Sequence, residues 1–101
     1  MTAPDAEPAP ASPVLSRTVT IVNRRGLHAR AAARFVKTVE RFKADVTVVR
    51  KEATVSGLSI MGLMMLAAGP GATLELRASG EEAVAALDAL VKLVADKFDE
   101  D

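Results

Sequence analysis

The 101-residue sequence predicts a single α+β domain of two layers, a four-stranded antiparallel sheet with three helices covering one face. Three observations lead there. Half of the residues are apolar, which in a chain this short supports one modest core and not two. Short stretches of alternating, β-branched character recur along the chain, and segments of helical periodicity lie between them. Their order is β-α-β-β-α-β-α. A ferredoxin-like sandwich has the same element order, and pattern alone does not separate the two strand orders.

The first strand is Arg17 to Asn23, where Val19 and Ile21 alternate with Thr18 and Thr20, and Gly26 ends it. From Ala29 to Phe42 the residues Ala32, Phe35, Val36, Val39 and Phe42 fall on one helix face. Arg30, Arg34, Lys37 and Arg41 fall on the other. Asp45 to Arg50 is a β-branched strand, and Lys51-Glu52 turns it into the short run Ala53 to Val55. A second, shorter helix spans Ile60 to Leu66 and stops at Gly69-Pro70-Gly71. Thr73 to Ala78 alternates strictly, with Leu74 and Leu76 inward. Ser79 and Glu82 have the spacing of a capping box for the last helix, whose buried face is read as Val84, Leu87, Val91, Val94 and Phe98.

Ahead of these elements, residues 1–16 hold four of the five prolines and four alanines. The stretch has two acids, no base and no apolar run, so it resembles neither a secretory signal nor a transit peptide. It is read as a disordered tail before a domain at 17–101, in a cytoplasmic protein. Ala53 to Leu74 carries no charge over 22 residues, but glycines and Pro70 interrupt it, and its dense apolar part is too short to span a bilayer. No membrane association is expected.

With no cysteine and one histidine, the chain excludes disulfides, thiolate catalysis, Cys-based zinc sites and His-rich metal sites, and no cofactor or metal is expected. The net charge of zero conceals a division. Arg17 to Lys51 carries +8, Glu52 to Asp101 carries −6, and the first 16 residues carry −2.

The single histidine stands in Asn23-Arg24-Arg25-Gly26-Leu27-His28-Ala29-Arg30, at the start of the basic helix. A helix start exposes unpaired N–H groups and a partial positive charge, which disfavour an imidazolium and receive an anion. Together with Arg30, that setting suits a neutral, nucleophilic histidine that accepts and gives away a phosphoryl group. A polar cap or a solvated surface histidine is the plainer alternative. The second unusual stretch is Ser56-Gly57-Leu58-Ser59-Ile60-Met61-Gly62-Leu63-Met64-Met65-Leu66. Ser59 is placed to cap the short helix. A helix that short buries one stripe, so some of Ile60, Met61, Met64 and Met65 should stay exposed, as core filler in excess or as an adaptable docking surface.

The two motifs together, at this separation and on these elements, resemble the HPr-type phosphocarriers of bacterial phosphotransferase systems. The resemblance covers Thr18 to about Phe98. It implies an open-faced sandwich with His28 as phosphoacceptor through Nδ1 and Arg30 as phosphate partner. Phosphorylated enzyme I would load His28 with a group originating from phosphoenolpyruvate, and a IIA-type protein would receive it. Ser59 matches a regulatory serine modified by HPr kinase/phosphorylase, and Ile60, Met61 and Met64 match the apolar docking patch around it.

One residue departs from the sugar-transport pattern: Ala31 stands where those carriers have proline, three residues after the histidine. That departure and the Ser59-to-Leu66 stretch look more like the nitrogen-related, regulatory branch. A basic face that includes Arg34 and Lys37 would attract acidic partners. Such a carrier is expected to be a monomer and not an enzyme in the strict sense, being itself stoichiometrically modified; regulatory target proteins would be further partners. Two rivals stand beside it, a binding module switched by phosphorylation and a small basic nucleic-acid-binding domain. Against the second, the only aromatics are Phe35, Phe42 and Phe98, all placed on buried faces, which leaves no stacking platform, and no nucleic-acid partner is expected.

Overall fold

A computed structural model describes residues 13–100. In chain order it contains β1 (Leu15–Thr20), α1 (Ala29–Glu40), β2 (Asp45–Arg50), β3 (Ala53–Ser56), α2 (Ile60–Met65), β4 (Thr73–Ser79) and α3 (Ala83–Ala95), followed by a single turn at Lys97–Asp99. The four strands form one antiparallel sheet in the order β1-β4-β2-β3. This order decides between the two candidate sandwiches. A split-βαβ sheet of ferredoxin type keeps β1 in the interior, whereas here β1 is an edge and β4 lies between it and β2.

Alternation determines which face of the sheet is covered. Val19, Val46, Val48, Leu74, Leu76 and Ala78 are buried on one side, and their neighbours Thr18, Thr20, Thr47, Glu75 and Arg77 lie on the open side. The helices close the buried side. α1 contributes Ala31, Ala32, Phe35, Val36 and Val39, α2 contributes Leu63, and α3 contributes Ala83, Ala86, Leu87, Leu90 and Val94 to one continuous core. No helix among the described residues is long and apolar enough to cross a membrane.

The elements fall where the patterns put them, with four informative differences. The segment read as tail lies mostly outside the described residues, but β1 begins at Leu15, inside it, and ends at Thr20 rather than Asn23. Leu15 and Ser16 pair with Ala78 and Arg77, so ladder pairing extends the strand upstream. α1 ends at Glu40, and Phe42 beyond it is half-buried, its ring 5.3 Å from the Arg41 guanidinium carbon. The capping box does not form: Ser79 pairs with Asp45 at the end of β4, and α3 begins only at Ala83. Glu82 makes no side-chain cap there; its Oε1 accepts the Lys43 N–H at 2.7 Å.

The fourth difference lies on the same helix. α3 turns Ala83 and Ala86 inward and leaves Val84 52 % exposed. Phe98 is fully buried as predicted, but not on α3. Lys97, Phe98 and Asp99 have φ of 58°, 56° and 62°, a left-handed turn of three non-glycine residues. Such a turn costs roughly 3–6 kcal/mol at ~1–2 per residue. Burying the Phe98 ring returns ~1.5–3 kcal/mol, and the bond from Arg34 Nη1 to the Phe98 carbonyl adds ~1.5–3.

A candidate phosphoacceptor histidine site

His28 is the N-cap residue of α1, with extended backbone (φ −79°, ψ −179°) and its carbonyl accepting the Ala32 N–H at 2.8 Å. Its ring makes no cap hydrogen bond, so the plain reading of a polar cap does not hold. The N–H groups of Ala29, Arg30 and Ala31 precede the first bond of the helix ladder and stand at the positive helix end beside it.

The loop that delivers His28 is stitched to the segment after α2. Leu27 N–H donates to Ala68 O at 2.9 Å, while Ile21 N–H donates to Ala72 O and Gly71 N–H to Ile21 O, both at 2.8 Å. Gly26 is what permits this approach. Its φ is +68°, and a Cβ there would lie 2.4 Å from the Ala68 carbonyl oxygen. The sequence marks Gly26 as a strand breaker; the structure shows that it also lets two loops touch beneath the histidine.

The ring is held from its far side. Glu100 Oε2 accepts from His28 Nε2, and both side chains are only 16 % exposed. The other carboxylate oxygen, Oε1, accepts from Asn23 Nδ2 at 3.0 Å, and the same Asn23 amide reaches the Gly26 carbonyl at 2.8 Å. Asn23 is 1 % exposed, and its Oδ1 has no hydrogen-bond partner. The hydrogen bond from His28 holds the Glu100 carboxyl below its usual range, with the Asn23 bond and the nearby Arg25 charge acting in the same direction against the opposing effect of burial. An ionised carboxylate only accepts, so Nε2 is the donor of this pair, and Nδ1 is the ring nitrogen that the contact with Glu100 does not use.

Arg24, Arg25, Arg30 and Arg34 line an open basin with Asp99 and Glu100. Arg30 is exposed beside His28, as the sequence suggests, Lys37 is exposed further along α1, and Arg41 is exposed just past its end. Arg34 differs from these in being half-buried: its Nη1 donates to the Phe98 carbonyl and so holds the left-handed turn, while the side chain also lines the basin. Arg24 and Arg25, given no role by the sequence, complete the basin. Asn23 and Glu100 are the residues that sequence reasoning missed. Asn23 lies within the quoted motif without a signal of its own. For Glu100, the only pointer is the acidic Asp99-Glu100 pair in a chain whose histidine is flanked by arginines.

Ser59 caps α2 as its position predicts, its Oγ accepting the Gly62 N–H at 2.9 Å. The helix buries Leu63 and leaves Ile60, Met61, Met64 and Met65 all exposed, Met61 by 69 % and Met65 by 76 %. Leu58 and Val22, not singled out by the sequence, are exposed as well.

A family model described as the PTS HPr component phosphorylation site matches residues 15–96. The chain belongs to the HPr family of phosphocarriers. Among similar HPr proteins, the phosphocarrier protein HPr of Pseudomonas aeruginosa is 52 % identical over 83 residues, covering 81 % of this chain and 92 % of its own. A phosphocarrier protein NPr of Shewanella violacea is 48 % identical over 86 residues, covering 85 % and 94 %. Of the solved HPr structures, one from Thermoanaerobacter tengcongensis superposes with a TM-score of 0.82 at 39 % identity, over 86 % of this chain and 98 % of that one. The open-faced sandwich expected from the two motifs is therefore the HPr fold.

Proposed function

We propose that His28 is the phosphoacceptor of this HPr-family protein, taking a phosphoryl group on Nδ1 from phosphorylated enzyme I and passing it to a IIA-type protein. The observation that carries the reading is the state of the ring. Nε2 is tied to Glu100, and Nδ1, outside that contact, makes no cap hydrogen bond at a helix N-terminus beside Arg30. Helix N–H groups and a guanidinium are the donors that a transferred phosphoryl group needs. Arg30 is the phosphate partner; the exposed apolar residues Ile60, Met61 and Met64, with Lys37, form the surface on which donor and acceptor proteins dock. The protein is modified stoichiometrically and needs other proteins to load and unload it, so it is a carrier rather than an enzyme, acting as a cytoplasmic monomer.

Ser59 serves as a regulatory site for HPr kinase/phosphorylase. A phosphate there adds about −1.5 to −2 charges beside Ile60 and Met61 and opposes docking. Ala31, the third helical residue of α1, supports the nitrogen-related branch over the sugar-transport branch. Incubation with phosphoenolpyruvate and enzyme I should give an acid-labile, base-stable phosphoprotein, and His28→Ala should abolish it. Label that appears on His28 but moves to no IIA-type acceptor would favour a binding module switched by phosphorylation. Ser59→Asp should slow loading by enzyme I; a rate equal to wild type would remove the serine from the mechanism.

A further inference from the structure

We propose that Glu100 is a positioning residue for phosphoryl transfer, fixing the His28 tautomer and compensating the charge that its ring acquires, and that Asn23 holds Glu100 in that role. The inference rests on the reading of His28 as phosphoacceptor. Both carboxylate oxygens of Glu100 are engaged in separate tasks, Oε2 on His28 Nε2 and Oε1 on the buried Asn23 amide. Asn23 is in turn fixed by the Gly26 carbonyl within the loop that carries the histidine, so the orienting group and the ring share one support. The chain also spends a left-handed turn to bring this carboxylate in, anchored by the buried Phe98 and by Arg34 on the Phe98 carbonyl. Charged neighbours facing the pair are Arg24, Arg25, Arg30, Arg34 and Asp99 around the basin.

The chemistry follows from the proton's place. The Nδ1 lone pair forms the new bond to phosphorus as the bond between phosphorus and the donor breaks, and that electron pair returns to the donor. Nε2 keeps its proton throughout, so the phosphorylated ring bears a positive charge, which the Glu100 carboxylate faces directly. When the group passes on, the Nδ1–P electrons return to the ring and the same tautomer is restored. A carboxylate behind an imidazole in this arrangement orients the ring and stabilises the cation without taking its proton.

The test compares wild type, Glu100→Ala and Glu100→Gln, with melting temperatures used to establish that all three are folded. In protein labelled with 15N-histidine, the Nε2-bound proton should be a discrete, exchange-protected resonance in wild type. It should persist in Glu100→Gln, whose amide oxygen still accepts, and vanish in Glu100→Ala. Loading by enzyme I at saturating donor should fall roughly 10- to 100-fold in Glu100→Ala, with the half-saturating donor concentration little changed, and by less in Glu100→Gln. An unchanged proton resonance or an unchanged loading rate in Glu100→Ala would overturn the proposal. Failure of the phosphoacceptor reading looks different: wild type itself would take no label while the resonance pattern remained as described.

Discussion

At the scale of single residues, the site is built from two kinds of information. His28, Arg30 and Gly26 lie within a few residues of one another, and their meaning is local: a helix start, its flanking cation and a turn. That much is legible in the sequence. Glu100 is not, because its contact with His28 spans 72 positions and depends on a left-handed turn that no side-chain periodicity encodes. The contact predicts a pH response with a definite sign. Folding lowers the Glu100 pKa from its ordinary value of 4.5, so the carboxylate's contribution to stability is complete above that value and is lost as the pH falls through the lower folded one. In an acid titration, the Glu100 side-chain carbon should therefore report protonation below pH 4.5, with the Phe98 ring signals shifting in the same step. A Glu100 midpoint at or above its ordinary value would contradict the contact.

At the scale of elements, the patterns located every strand and helix, and they erred where chemistry at an end competed with them. Ser79 has the sequence of a cap but the ladder partner of a strand, Asp45, and the strand claims it. On α3 the expected buried face holds at Leu87 and Val94 and fails at Val84; close packing against α1 and the sheet favours the small Ala83 and Ala86, which leaves Val84 to solvent. Accordingly, Val84→Lys should change unfolding free energy by no more than about 0.5 kcal/mol, whereas Leu87→Ala should cost ~2–5. Both can be read from urea melts. The cap of α2 allows a cleaner separation. Ser59→Ala removes the bond to the Gly62 N–H and should cost about 1 kcal/mol, while Ser59→Asp keeps a capping oxygen and adds a charge suited to a helix start. Stability should therefore hold in the Asp variant, so that any loss of phosphoryl loading in it belongs to charge and not to a frayed helix. A melt of Ser59→Asp as weakened as that of Ser59→Ala would defeat that separation.

At the scale of the whole molecule, the balanced charge is a sum of opposites, and an ion pair of Arg17 with Asp88 at 3.5 Å joins the +8 stretch to the −6 stretch. The Lys43 backbone N–H on Glu82 and His28 on Glu100 join the same two stretches by hydrogen bonds. The exposed Arg30 and Lys37 remain outward on α1, with the exposed Arg41 just past its end. Association with an acidic partner should thus be steered by this helix, and its rate constant in stopped-flow mixing should drop about tenfold or more between low and high salt, with Lys37→Glu flattening the dependence. A rate indifferent to salt would count against α1 as the docking face. The position of β4 between β1 and β2 has a consequence of another kind, in time. As the chain leaves the ribosome, β1 has no strand to pair with until residues 73–79 emerge, because its one neighbour in the sheet is β4. The β2–β3 hairpin can close early, but the sheet cannot, and Glu100 arrives later still. A nascent chain therefore carries its histidine unsupported through most of its synthesis, and the loop that will hold it becomes a site only as the fold is completed.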